Sequence, residues 1–195
     1  MLARFYLALW LVLICGPAAA FTPNTASSCK STWGDNVDTL DYFKREMENA
    51  WAMVEKQPDR AAGIFATIRN WQGHSVDFSN CVGLTSISAK DVSDMRTVSA
   101  DFVDLANCGL SISDMSIANN KWHSSREPWL NQARGTNGQL LFTDADMRGI
   151  AEDILKHSQN ALSIPGCQVY RYARNWANST SNWAQGMLQN PRFAD

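Results

Sequence analysis

The chain has 195 residues, 17 basic and 19 acidic side chains and a formal charge of −2. That balance lacks the basic stripe of a nucleic-acid binder, so no nucleic-acid partner is expected. After the N-terminal segment no apolar run approaches the roughly 18 residues of a membrane-spanning helix, so no membrane span is expected either.

Residues 1–20 read as a cleavable signal peptide. Arg4 gives a positive start, Phe5 to Cys15 an unbroken apolar run, and Gly16-Pro17-Ala18-Ala19-Ala20 a small-residue cleavage site. As a helix the apolar run measures about 16 Å, half of the ~30 Å that a spanning helix must cross. The expected product is secreted and extracellular, one domain of about 175 residues that can bury its own core.

Cys15 leaves with the signal, and Cys29, Cys81, Cys108 and Cys167 remain. An even set in an oxidising compartment implies two disulfides, with three pairings open. Their wide spacing does not suit a zinc finger.

Residues 21–32 form a polar lead-in held by Cys29, and the helical domain is expected to run from 33 to 195. Val37, Leu40, Phe43, Met47, Trp51 and Val54 recur at three- and four-residue steps and predict a first helix, stopped by Pro58. Asp59 caps a second, with Ala61, Ile64, Phe65, Ile68 and Trp71 on one face and Gly73 past its end. The two are expected to pair antiparallel. Val76 and Phe78 then alternate, which suggests a small β-hairpin.

Val92, Met95, Val98, Phe102 and Leu105 predict a third helix closed by Gly109, with a buried strand at 102–105 as the alternative. Residues 111–139 contain Asn119-Asn120, Pro128, Gly135 and Asn137-Gly138 and read as a long, loosely structured connection. Thr143 with Asp146 forms a cap for a helix whose buried face is Met147, Ile150, Ala151, Ile154 and Leu155, ended by Pro165-Gly166. A last helix carries Tyr172, Ala173, Trp176, Thr180, Trp183 and Met187 on one side. The fold class is therefore mainly α, a single-domain bundle of about five helices with a small β-hairpin and two disulfides.

Asn178-Ser179-Thr180 is a glycosylation sequon, and Asn178 lies about 200° around the helix from Trp176, pointing outward. Of the eight tryptophans, Trp51, Trp71, Trp176 and Trp183 fall on helix stripes and read as core fillers whose indole N–H needs a partner. Trp122 and Trp129 flank His123 and Arg126 in the expected long connection. These four are the candidate contacts for an extracellular protein or carbohydrate partner.

Enzyme patterns are sparse. Gly73-His74-Ser75-Val76-Asp77 starts like a nucleophile elbow but lacks the final glycine and the preceding strand. His74, His123 and His157 have no i,i+4 pairing, and the pairs Glu46/Glu48 and Asp144/Asp146 point to different helix faces. No catalytic, cofactor-binding or metal residue is assigned on these grounds. Convergence of His74, His123, His157 and Asp146 in space would reopen an enzyme reading.

Ser28-Cys29, the first helix with Ala50 and Met53, the Ile68–Cys81 stretch with Val76-Asp77-Phe78, and Tyr170-Arg171-Tyr172-Ala173 together resemble the fungal secreted aspzincins, the deuterolysin and lysine-specific metallo-endopeptidase group. The resemblance implies a zinc peptidase built on H-E-x-x-H. After the matching step Gly138-Gln139-Leu140-Leu141 this chain has Phe142-Thr143-Asp144-Ala145-Asp146 instead. Phenylalanine cannot ligate zinc and threonine cannot act as the general base, so the resemblance implies a relative without the hydrolytic centre.

Three functional expectations follow. The first is a secreted non-catalytic binding protein, an inactive relative of an extracellular metallopeptidase, with no cofactor. The second is an active secreted zinc metalloendopeptidase or other hydrolase with scattered ligands. The third is a surface-associated structural protein.

Overall fold

A computed structural model describes residues 22–193. The signal peptide expected at 1–20 lies outside the described residues. The fold is mainly α-helical, with six α-helices among the described residues: α1 (Ala26–Met53), α2 (Pro58–Arg69), α3 (Ala89–Leu130), α4 (Asp144–Ser163), α5 (Pro165–Val169) and α6 (Arg171–Leu188). Two disulfides, Cys29–Cys81 and Cys108–Cys167, settle the pairing that the sequence left open.

The backbone divides into two compact units, residues 22–36 with 72–96, and residues 37–71 with 97–193.

In the smaller unit the Cys29–Cys81 bridge is buried with Phe78, and Trp33 meets the Phe78 ring edge-on at 5.1 Å. The hairpin expected around Val76 and Phe78 does not form. Residues Gln72–Ser75 and Ser79–Cys81 are single 3-10 turns, and the only pairing nearby is an isolated bridge between Val82 and Thr85. Asp77 explains the preference, because its carboxylate accepts the Ser79 N–H at 3.0 Å and closes a local turn that competes with a ladder. Ser88 and Asp91 cap the start of α3 reciprocally, with Ser88 N donating to Asp91 at 2.9 Å and Asp91 N to Ser88 Oγ at 3.1 Å.

In the larger unit the first core gathers Phe43 and Met47 from α1, Phe65 and Ile68 from α2, and Ile112 and Met115 from α3. Phe43 meets Trp71 at 5.6 Å and Trp51 meets Phe65 at 5.1 Å, contacts that run in opposite chain order and make α1 and α2 the antiparallel pair expected. Pro58 takes the first helical position of α2, where its missing N–H costs nothing, while Gln57 rather than Asp59 stands at the cap. The N–H of Trp51 is buried without a partner among the described residues.

The largest departure from expectation is α3, which neither stops at Gly109 nor gives way to a long connection. It continues through Asn119-Asn120 to Leu130, with Pro128 in its last turn. Gly109 is a packing position: a Cβ there would lie 2.5 Å from the Phe65 ring. Beyond it the buried face is made of small residues, Ser111, Ser113, Ser116 and Ala118 between Ile112, Met115 and Trp122. Ser113 Oγ donates back to the Gly109 carbonyl at 2.9 Å and Ser111 Oγ accepts from Asn160 of α4 at 2.9 Å, so these hydroxyls are satisfied inside the bundle.

The turn signals at Gly135 and Asn137-Gly138 do form a turn, closed by an isolated antiparallel bridge between Arg134 and Leu140, with Gly138 at φ 78°. A second core follows, in which Trp122 and Trp129 of α3 pack with Met147, Ile150 and Ile154 of α4, Ala184 of α6 and Phe193.

Candidate binding cleft

The α3 face that carries Asn119, Trp122, His123, Arg126 and Trp129 repeats at three- and four-residue steps, so a helix places all five side chains on one side. On α6, Trp176, Thr180, Trp183 and Met187 do the same. Between these two faces lies a cleft of about 700 Å³, with Asn190 and Arg192 of the C-terminal turn also lining it. That volume falls within the range of ordinary ligand sites, roughly 300–1,000 Å³.

Its floor is aromatic. Trp122 and Trp129 are 3% and 7% exposed and lie 6.2 Å apart, and Trp183 meets the Trp122 ring edge-on at 5.0 Å. Trp183 itself is 37% exposed and presents indole surface to solvent. Trp129 is fixed on several sides. Phe193 stacks on it at 5.6 Å, Arg192 sits 4.1 Å from its centroid, and its Nε1 donates to Asp144 Oδ1 at 2.6 Å. The same carboxylate oxygen accepts Arg192 Nε at 2.9 Å.

The rim is polar, with Asn119, Ser179 and Asn190 offering hydroxyl and amide groups, His123 an imidazole and Arg126 a cation, while Thr180 lies buried behind it. Arg126 is exposed and forms no ion pair among the described residues. Asn178, one position from the rim residue Ser179, is exposed on α6.

All four candidate contacts from the sequence, Trp122, His123, Arg126 and Trp129, line this cleft. Their setting differs from expectation, because they belong to helix α3 and not to a loop, and the two tryptophans are buried floor rather than free anchors. Trp51, Trp71 and Trp176 are partly buried against the first core as expected. Trp183 departs from that group by its exposure. The sequence reading missed Trp183, Met187 and Arg192 as cleft residues. The spacing of Trp176, Thr180, Trp183 and Met187 was visible, but a stripe alone does not say whether it faces a core or a groove.

Other candidate chemistry is dispersed. Gly73-His74-Ser75 lies within the turn Gln72–Ser75. Asp144 is committed to Trp129 and Arg192, and Asp146 caps α4 by accepting the Thr143 N–H at 2.8 Å and its hydroxyl at 2.7 Å, bonds that hold its pKa below the ordinary value of 3.8. Tyr172, exposed on α6, has its pKa pushed up to about 12 by desolvation of its hydroxyl and by its hydrogen bond to Glu55. Among the described residues no three His, Cys, Asp or Glu side chains are grouped to hold a metal ion. No protein family, curated protein or solved structure matches the chain.

Proposed function

We propose that the chain is a secreted, non-catalytic binding protein that takes an extracellular carbohydrate in the cleft between α3 and α6. The observation that carries this reading is an exposed indole, Trp183, above a tryptophan floor and beside a rim of hydroxyl and amide groups and the Arg126 guanidinium. A pyranose ring needs such a surface. Its C–H faces carry partial positive charge and favour the negative face of an indole, while its hydroxyls need donors and acceptors at the edge. A protein partner of ordinary size covers about 800 Å² per side of gently curved surface, for which a recessed cleft is a poor match.

The reading extends to an inactive relative of an extracellular metallopeptidase. Where the resembling family has H-E-x-x-H, Thr143 and Asp146 of this chain are occupied with each other as a helix cap, which favours a structural use of that segment. Asn178, exposed beside the rim, is the position proposed for a glycan.

The test is titration of the purified secreted chain with a panel of neutral and acidic oligosaccharides, followed by tryptophan fluorescence and calorimetry. Saturable binding is expected, weakened at least about tenfold by Trp183→Ala, the loss of one aromatic contact. If no saccharide binds, the reading is wrong. One tightly held zinc, removed by a chelator together with peptidase activity, would overturn its non-catalytic part.

A further inference from the structure

We infer that the cleft selects an acidic oligosaccharide, one whose sugar rings carry carboxylates, and that Arg126 is the residue that reads the charge. This rests on the carbohydrate-binding reading above and names the class of sugar. The whole chain is slightly acidic, yet the charged side chains lining the cleft are Arg126 and Arg192, with no carboxylate among them. The local field is therefore opposite in sign to the net charge and favours an anion.

The two arginines differ in what they have left to offer. Arg192 is anchored, its Nε on Asp144 at 2.9 Å and its guanidinium centre 4.1 Å from the Trp129 ring centroid. Asp144 offsets much of that charge, and the pair serves as a wall of the cleft. Arg126 sits one turn after Trp122 on the same face of α3, is exposed, and has neither a hydrogen bond nor an ion pair among the described residues. Its planar fork can take both oxygens of a carboxylate while the adjoining ring lies against indole. Neutral sugars would satisfy the indole but leave that fork to water. An acidic peptide would satisfy the fork, but its side chains present no flat C–H face to the exposed Trp183.

The experiment uses the full secreted chain and two saccharide probes on one backbone, an oligogalacturonate and its methyl ester, in which a methyl group caps each carboxylate and removes its charge, with oligoglutamate as the acidic-peptide probe. Affinities are measured by calorimetry at low and raised salt. The free acid is expected to bind about tenfold or more tightly than the ester, the range of a charge-assisted hydrogen-bond pair. Added salt should narrow that ratio. Arg126→Gln should bring the ratio toward one, whereas Arg60→Gln, the same charge change on α2 outside the cleft, should leave it where it was. Near-ultraviolet circular dichroism of both variants checks that the tryptophan packing is retained, and Arg126→Lys supplies a second variant that keeps the charge but loses the fork.

Equal binding of acid and ester, or a ratio unaltered in Arg126→Gln, would overturn the charge selection while leaving carbohydrate binding in place. Binding of oligoglutamate alone, or of none of the three, would overturn both.

Discussion

The indole N–H of Trp129, at the end of α3, donates to Asp144 Oδ1 in the first turn of α4 at 2.6 Å. One oxygen thereby joins the two helices across the turn 131–143 and, through Arg192, also holds the C-terminal segment. Because Trp129 is nearly buried, removing its acceptor leaves a polar group without a partner. Asp144→Ala is expected to cost about 1–3 kcal/mol in urea unfolding and Asp144→Asn less, since an amide oxygen still accepts. Equal stability of the Ala variant and the parent would show that water replaces the carboxylate.

Two glycines set helix approaches that no side chain could occupy. A Cβ on Gly166 would lie 2.2 Å from the Asp104 carbonyl oxygen, and one on Gly109 would lie 2.5 Å from the Phe65 ring. Backbone cannot rotate away as a side chain can. Gly166→Ala is therefore expected to be the more damaging, at about 3 kcal/mol or more, against about 1–3 kcal/mol for Gly109→Ala. Gly149→Ala, mid-helix in α4 with no neighbour within 4 Å of the new atom, should instead stabilise by about 0.5–1 kcal/mol. Thermal or urea unfolding of the three variants gives the order directly.

Gly109 also shows where the sequence stopped being readable. A glycine after an apolar stripe signals a helix end, and the serines and asparagines beyond it signal a loop, but both signals are local. Here the glycine makes room for Phe65, and Ser111, Ser113 and Ser116 are buried because the helix is hemmed in on several sides. Large apolar residues alone do not mark such a helix. By contrast the α1, α2 and α4 stripes each have one buried face with bulky residues, and they were legible, whereas α6 buries small residues, Ala173, Ala177, Thr180, Ser181 and Ala184, and leaves Tyr172 and Trp183 exposed. The cleft was half legible for the same reason: Trp122, His123, Arg126 and Trp129 stood out by their company, while Trp183 and Arg192 acquire meaning only when α6 and the C-terminal turn are brought beside α3.

The Cys108–Cys167 bridge ties the middle of α3 to α5 at a sequence separation of 59, next to the close approach at Gly166. A loop of that size lowers the entropy of the unfolded chain by about 4 kcal/mol at room temperature in the chain-entropy account. The double substitution Cys108→Ser with Cys167→Ser should cost about 2–5 kcal/mol in denaturant unfolding, the span observed when native disulfides are removed. Cys29→Ser with Cys81→Ser, at a separation of 52, should cost a similar amount. Retention of full stability after either change would mean that packing alone holds those helices.

Acid should weaken the fold through its capped carboxylates. Asp77, Asp91 and Asp146 all have pKa values below the ordinary 3.8. The Ser79 N–H is the largest cause for Asp77, the Ser88 N–H for Asp91, and the Thr143 hydroxyl for Asp146. A lowered folded value means that the unfolded chain binds protons first. The contribution is therefore present above about 3.8 and is lost as pH falls through the lower folded values. Tyr172 acts in the opposite sense. Burial and the Glu55 hydrogen bond raise it from 10.0 to about 12, so its contribution is present below 10.0 and fades as pH rises toward about 12. Urea midpoints measured across pH should hold level from about 5 to 9 and fall on both sides. Combining Asp77→Asn, Asp91→Asn and Asp146→Asn should flatten the acid limb and leave the alkaline limb, and Tyr172→Phe should do the reverse. An acid limb unaltered in the triple variant would assign it to other groups, and an unaltered alkaline limb in Tyr172→Phe would remove Tyr172 as its cause.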